Sequence, residues 1–323
     1  MDDVTSDLVI IGAGPTGLYS AYYAGFRGMS VAVVDSLPEL GGQITAMYPE
    51  KAILDVAGFP SIKGRDLVEG LVAQAATADP TYLLDRTATT LDHHDDHVVV
   101  TLDDDTRIVA GAVLITSGIG KFSPRPLPAG DGWVGRGMEF FVPSFAPYAG
   151  KDVVIVGGGD SAFDWAQHLE PIATSVTLVH RREAFRAHER TVAAVKDSTV
   201  AILTNAQVTA LRGDARLEEI EVSVDGQEPR TLKAQALVAA LGFIADLGAI
   251  QQWGLVTEKR HVVVDSAMRT NLPRVFAAGD ITDYPGKVRL IAVGFGEAAT
   301  AVNNAAVAID PTAHVFPGHS SEG

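Results

Sequence analysis

A chain of 323 residues, 47% hydrophobic and 20% charged, has the length for two ordinary domains with a substantial buried core and the composition of a globular protein. It holds no cysteine, which excludes disulfides, thiolate nucleophiles, cysteine-ligated zinc or iron–sulfur centres and an internal redox dithiol. Its formal charge of −15 argues against non-specific binding to nucleic acid or to an anionic membrane.

Residues 8–11 (LVII) form a continuous apolar run, as a parallel strand buried on both faces requires. They lead into 12–17 (GAGPTG), a helix over 18–26 that Gly28 ends, and a second strand over 31–34 that runs into Asp35. Gly12, Gly14 and Gly17 fit the G-x-G-x-x-G pattern: the first allows a tight turn, the second lets backbone approach a pyrophosphate, and the third lets the helix sit close to the strand. In the loop that follows, Gly41 and Gly42 admit a ring system, Gln43 offers an amide, and Tyr48 is either an aromatic beside a dinucleotide or ordinary packing.

A helix over 64–78 and strands over 87–91, 98–102, 107–110 and 113–116 follow, the strands forming a meander laid against the first unit. Residues 92–97 (DHHDDH) contain metal-binding types, but their spacing matches no standard site and reads as a solvated hairpin turn, so no metal is expected. The proline-stiffened stretch 121–128 (KFSPRPLP) marks a domain boundary.

A second strand–turn–helix–strand unit occupies 153–182. Gly157, Gly159 and Ala162 fit G-x-G-x-x-A, so a pyrophosphate is expected on the N-terminus of a helix starting near Asp160 or Ser161. His180 stands at the same offset from Ala162 as Asp35 does from Gly17, with opposite chemistry. An acid there accepts hydrogen bonds from an adenosine ribose and repels a 2′-phosphate, whereas His180, Arg181 and Arg182 attract one. The first unit is therefore expected to hold FAD or NAD and the second NADP. The plainer alternative for 180–190 (HRREAFRAHER), where Arg186 and Arg190 extend the basic edge, is a charge-laced helix start in solvent.

Strands over 200–203, 207–211, 217–224 and 231–232 read as a smaller meander, and 236–240 as a returning buried strand. From Gly242 the chain crosses back, which places the second domain as an insertion within the first. Two crossings, at 121–128 and 241–243, are the layout of a hinge. Residues 274–280 (RVFAAGD) bring Asp280 to the carboxyl end of a strand, where ligands of α/β sheets sit. A helix over 294–309 starts with glycines, so its N-terminus could face a ligand, and 310–323 is a polar tail with Phe316 and His319.

With both nucleotide units and the insertion in place, the chain resembles the low-molecular-weight thioredoxin reductase family of flavoproteins over nearly its whole length. That family's CxxC precedes the second glycine motif, and the matching stretch here, 135–142 (GRGMEFFV), has no cysteine. Thioredoxin reduction by the usual route is thereby removed. Within the superfamily the chain is similar to the thioredoxin-reductase-like ferredoxin–NADP reductases, through DSLPELGGQITAMYPEK, GGGDSAFDWA, HRREAFRAHE, GKVRLIAVGFGEA and the terminal PGHSS.

The resemblance implies an α/β fold of two Rossmann-like dinucleotide-binding domains, the NADP domain inserted within the FAD domain: 1–120 and 242–323 for FAD, 121–241 for NADP. It places FAD contacts on Gly12, Gly14, Pro15, Thr16, Gly17, Asp35, Gln43, Tyr48, Ala88, Phe122, Asp280 and Ser320. NADP contacts fall on Gly158, Gly159, Asp160, Ser161, Ala162, His180, Arg181 and Arg182. It further implies a homodimer in which Tyr48 and His319 stack on the two flavin faces. No catalytic acid or base is implied, because hydride passes directly between the nicotinamide and flavin rings.

The expected activity is hydride exchange with NADP(H) and single-electron exchange with ferredoxin or flavodoxin. The rivals are an NADPH diaphorase, quinone reductase or oxidase with a small acceptor, and a non-catalytic redox sensor. Ferredoxins are usually acidic, so Lys51, Lys63, Arg65, Lys287 and Arg289 are candidate docking cations on this acidic chain. No apolar run approaches the length of a membrane span, and the acidic start MDDVTSD lacks the positive region of a signal peptide, so a cytoplasmic location is expected.

Overall fold

The computed structural model describes residues 3–316 and Gly318, with backbone alone at Lys121, Phe122 and Ala245. Two units divide the chain: Met1–Phe122 with Ala245–Gly323, and Ser123–Ile244. The crossings Lys121–Pro124 and Phe243–Asp246 pair with each other as a two-stranded ribbon.

The first unit is built on a mixed sheet in the order Thr81–Leu84, Val31–Asp35, Val4–Ile11, Arg107–Ile115, Val98–Leu102, Ala88–His93. Strands 81–84, 31–35, 4–11 and 107–115 run parallel, and 98–102 and 88–93 return antiparallel. The run Leu8, Val9, Ile10 is wholly buried, which is why it reads as unbroken hydrophobic sequence rather than as alternation. Helix Pro15–Phe26 buries Leu18, Ala21 and Ala24 and packs against helices Gly64–Ala75 and Ile291–Ile309.

Pattern and structure differ at several places. The two strands expected over 107–110 and 113–116 are one strand, Arg107–Ile115. Its sheet neighbour changes midway: 107–110 pair antiparallel with 98–101, whereas 113–115 pair parallel with Val275–Ala277. Gly111 sits at the changeover, where a Cβ would lie 2.8 Å from Ile309 Cγ1 and 3.0 Å from the Asp7 carbonyl oxygen. Gly111, between the two expected strands, is thus a close-packing position. Thr81–Leu84, an edge strand beside 31–35, was not singled out by pattern. Helix Ile291–Ile309 begins before its glycines, and Gly294 is small because Thr16 lies against it.

The second unit holds a five-stranded parallel sheet, Met138–Glu139, Ala236–Ala239, Asp152–Val156, Ser175–Val179, Ala201–Leu203. Ala206–Arg212, Glu219–Val224 and Arg230–Lys233 form a separate antiparallel sheet. Residues 201–203 therefore belong to the parallel sheet, in register with 177–179, and not to the meander; three residues are too few for periodicity to tell the two apart. Helix Asp160–Leu169 buries Phe163, Ala166 and Leu169 in this unit's core. Residues 189–196 form a helix with Val195 buried, in keeping with the charge-laced alternative for the end of the basic run. His94 N–H donates to the His97 carbonyl at 3.0 Å and closes the 93–98 hairpin. Among the described residues no helix is long and apolar enough to cross a membrane.

Because Gly111 has backbone on one side and Ile309 on the other, Gly111→Val forces overpacking and is expected to lower stability by about 1–3 kcal/mol. Equilibrium unfolding in urea reads this directly, and an unchanged midpoint would contradict the packing argument.

Candidate functional site

A cavity of about 290 Å³ opens in the first unit at the carboxyl ends of strands 4–11 and 31–35. Its floor is the 12–17 turn. At Gly12 (φ 113°) a Cβ would lie 2.6 Å from the Thr116 carbonyl oxygen, and at Gly17 it would overlap the carbonyl oxygen of Gly12. Backbone fills the space of a side chain at both positions. Gly14, by contrast, faces open space. Thr116 Oγ1 donates to the Gly12 carbonyl at 2.8 Å and holds the turn shut.

Helix Pro15–Phe26 starts from Gly14 with no side-chain cap and no acid in its first turn. Its free N–H groups and dipole make a receptive end for an anion. Ser117 Oγ, in the cavity wall, is buried without a hydrogen-bond partner among the described residues. An uncapped helix start, a glycine open to the cavity and an orphaned hydroxyl fit a dinucleotide such as FAD.

Asp35 closes strand 31–35, its carboxylate accepting the N–H of Ala13 at 2.6 Å and that of Leu37 at 2.8 Å. Burial pushes its carboxyl above the usual range, and the two N–H groups oppose that rise. Gly42, with φ 58°, brings the next loop to the turn: a Cβ there would lie 2.9 Å from Gly14 Cα. The short helix Gln43–Met47 follows and ends at Tyr48. Burial, with Asp280 and Asp55 nearby, pushes the Tyr48 hydroxyl up to about 12, so it stays a neutral donor.

Asp280 enters from the end of strand Val275–Ala277. The turn that presents it is held by a buried ion pair. Glu297, on helix Ile291–Ile309, accepts Lys287 Nζ at 2.5 Å, Tyr284 OH at 2.5 Å and the Gly279 N–H at 2.7 Å. Lys287 Nζ also donates to the Gly279 carbonyl at 3.0 Å. The Lys287 and Glu297 side chains are 3% and 5% exposed. Both backbone groups of Gly279 are thus fixed immediately before Asp280, whose carboxyl is pushed up by burial against the opposing pull of Lys287 and Arg289.

Gly12, Gly14, Pro15, Thr16, Asp35, Gln43, Tyr48, Ala88 and Asp280 all border this cavity. Gly17 lies buried in the first turn of the helix. Phe122 belongs to strand Lys121–Pro124 without a described side chain, and His319 and Ser320 lie outside the described residues. Sequence reasoning missed Thr116, Ser117 and Gly118, which also line it. The available signal was a hydroxyl–glycine run directly after a buried strand.

The second glycine turn has the same construction. A Cβ at Gly157 would overlap the Ala240 carbonyl oxygen, and one at Gly158 would overlap the His180 ring, while Gly159 is open. Ala162 is buried beneath the turn and Ser161 is exposed. His180 packs on this second turn. Its half-buried ring lies on Gly158, with Nε2 3.3 Å from the Ala184 carbonyl, and burial together with Arg181, Arg182 and Arg186 pushes its pKa down. Arg181, Arg182 and Arg186 are exposed and form no ion pair among the described residues.

Among the candidate docking cations Lys287 is buried, while Lys63 and Arg65 stay exposed. Lys287 is buried on Glu297, Lys63 and Arg65 both engage Glu50, and Arg289 sits 3.3 Å from Asp283. Among the described residues no group of three His, Cys, Asp or Glu is placed to hold a metal ion.

The family model described as pyridine nucleotide-disulphide oxidoreductase matches residues 6–306. The chain is 79% identical to a protein of Nocardioides sp. named Ferredoxin--NADP reductase, over 98% of this chain and 97% of that protein. It is 62% identical to a protein of the same name from Frankia alni, over 97% and 98%. Among solved structures, the thioredoxin reductases of Lactococcus lactis and T. acidophilum each give a TM-score of 0.77 at 24% identity, and share the fold. They cover 94% and 95% of this chain, and 99% and 98% of their own.

Removing one member of a buried ion pair leaves the other without its partner, at a cost of about 3–5 kcal/mol. Glu297→Gln is expected to lose that much stability in urea unfolding, and Glu297→Gln combined with Lys287→Met to lose less than the sum of the single changes. Additive single effects would show that the two side chains act independently.

Proposed function

The chain belongs to the pyridine nucleotide-disulphide oxidoreductase family, and on that premise we propose that it is an FAD-dependent ferredoxin–NADP reductase. It exchanges a hydride with NADP(H) and single electrons with ferredoxin or flavodoxin. The observation that carries this reading is the pair of glycine turns with opposite neighbours, Asp35 at the first and the exposed Arg181 and Arg182 at the second. One turn suits an adenosine ribose with free hydroxyls and the other a 2′-phosphate. The names of the nearly full-length relatives supply the electron partner, and the absence of cysteine removes disulfide reduction as the outlet.

FAD, when bound, supplies the conversion between hydride and single-electron transfer. The residues around it bind and orient. Gly14 and the N–H groups of helix Pro15–Phe26 would receive the pyrophosphate, Asp35 would accept from the adenosine ribose, and Asp280 would hold a further hydroxyl of the cofactor. Tyr48 offers a flat face to the ring system while Gln43 provides an amide at its edge. Ala88 completes the described wall, and the resemblance adds an FAD contact at Phe122. In the second unit Gly158, Gly159, Asp160, Ser161 and Ala162 shape the phosphate turn, and His180 packs on it. The resemblance supports a role for His319 and Ser320 in covering the second face of the ring, assembly as a homodimer, and a cytoplasmic location. No side-chain acid or base is needed for a direct hydride transfer between held rings.

Anaerobic addition of NADPH to the purified holoprotein is expected to bleach the flavin absorbance, and oxidised ferredoxin to restore it. A flavin that stays oxidised under NADPH would overturn the reading. Replacing both Arg181 and Arg182 with Gln removes two charge-assisted bonds worth roughly 1.5–3 kcal/mol each. The kcat/KM for NADPH is then expected to fall about a hundredfold or more while that for NADH is nearly unchanged; a retained NADPH preference would assign the 2′-phosphate elsewhere.

A further inference from the structure

An acid stands where the second dinucleotide turn should least tolerate one. Asp160 is the first residue of helix Asp160–Leu169, at the end whose dipole and free N–H groups favour an anion. The equivalent first turn of helix Pro15–Phe26 carries no acid. A carboxylate at this place repels a pyrophosphate, so its presence calls for a compensating function.

Its hydrogen bonding supplies that function. Asp160 Oδ1 accepts the backbone N–H of His188 at 2.8 Å. His188 is the N-cap of the next helix, Glu189–Lys196, and closes the segment 181–188 that carries Arg181, Arg182 and Arg186. The same segment is joined to the turn by Arg186 N–H donating to the Gly158 carbonyl at 2.7 Å. Phe185 anchors it in the core, its ring edge-on to Phe163 at 4.8 Å and 71°. The three cationic side chains are exposed and have no carboxylate partner among the described residues. Their placement therefore depends on how the backbone beneath them is held.

We infer that Asp160 is a positioning residue for coenzyme discrimination: it ties the arginine-bearing segment to the start of the phosphate-binding helix and so sets Arg181, Arg182 and Arg186 at the 2′-phosphate. Asp160 does this with its side-chain oxygen, on the backbone of that segment. The inference rests on the proposed NADP(H) role of this unit. Two effects of the side chain oppose each other, and substitution separates them. Its charge weakens binding of any dinucleotide pyrophosphate, whereas its acceptor oxygen strengthens binding only of those that carry a 2′-phosphate.

The test compares wild type, Asp160→Asn and Asp160→Ala holoproteins by calorimetric titration with NADP+ and NAD+, with thermal unfolding run in parallel. Asparagine keeps an acceptor for His188 N–H and removes the charge. Asp160→Asn should therefore bind both dinucleotides about two- to fivefold tighter with the NADP+ to NAD+ preference intact. Asp160→Ala removes the acceptor as well, and the preference should fall roughly three- to tenfold, mainly through NADP+. A merely structural role would instead lower the unfolding temperature and weaken both ligands together, and that result overturns the inference. So does an alanine variant that keeps the wild-type preference, or an asparagine variant that loses it. Wild type with no preference for NADP+ would instead overturn the coenzyme reading on which the inference rests.

Discussion

The architecture depends on backbone meeting backbone where no side chain fits. At Gly12, Gly17 and Gly157 the place of a Cβ is already taken by a carbonyl oxygen, those of Thr116, Gly12 and Ala240 respectively. These contacts draw the start of each helix tightly onto the end of its strand, so the uncapped N–H groups arrive at the carboxyl edge of the sheet. Every other feature of the two candidate sites is placed relative to those two turns. Thr116 closes the first turn through its hydroxyl, Gly42 brings the Tyr48 loop against Gly14, and His180 lies flat on Gly158.

The two turns are supported by different electrostatics. In the first unit the Glu297–Lys287 pair is withdrawn from water and spent on the backbone of Gly279, which orients the neighbouring Asp280 toward the cavity. Buried ion pairs are costly to desolvate, and this one is satisfied by Tyr284, by Gly279 and by the mutual bond. In the second unit the charges remain in solvent. Arg181, Arg182 and Arg186 form no ion pair among the described residues, and two nearby acids are engaged elsewhere, Asp160 by the His188 N–H and Glu183 by the Asn205 amide.

Much of this was legible from residue order. The strand–turn–helix units, the insertion of one domain in another and the opposition of Asp35 to Arg181 and Arg182 are all local patterns, and local patterns survive in one dimension. The glycines at 12, 14, 17, 157 and 159 could be read because their spacing follows from one turn and the first coil of one helix. The absence of cysteine needed no structure to exclude dithiol chemistry.

What residue order did not settle involves contacts that only the packed chain brings together. Residues 107–115 looked like two strands because the strand changes partner at Gly111, and that partner change involves Val275–Ala277. Lys287 looked like a surface cation, yet its partner stands on a helix ten residues on and both are buried. His180 reads in sequence as a partner for an anion, and the structure adds that its ring packs on Gly158, where burial and the neighbouring arginines hold its pKa down. The sequence by itself determined which backbone turns are possible and which charges are present. Tertiary structure alone decided which of those charges are desolvated, paired or left in water, because burial and distance between remote residues are properties of the packed chain.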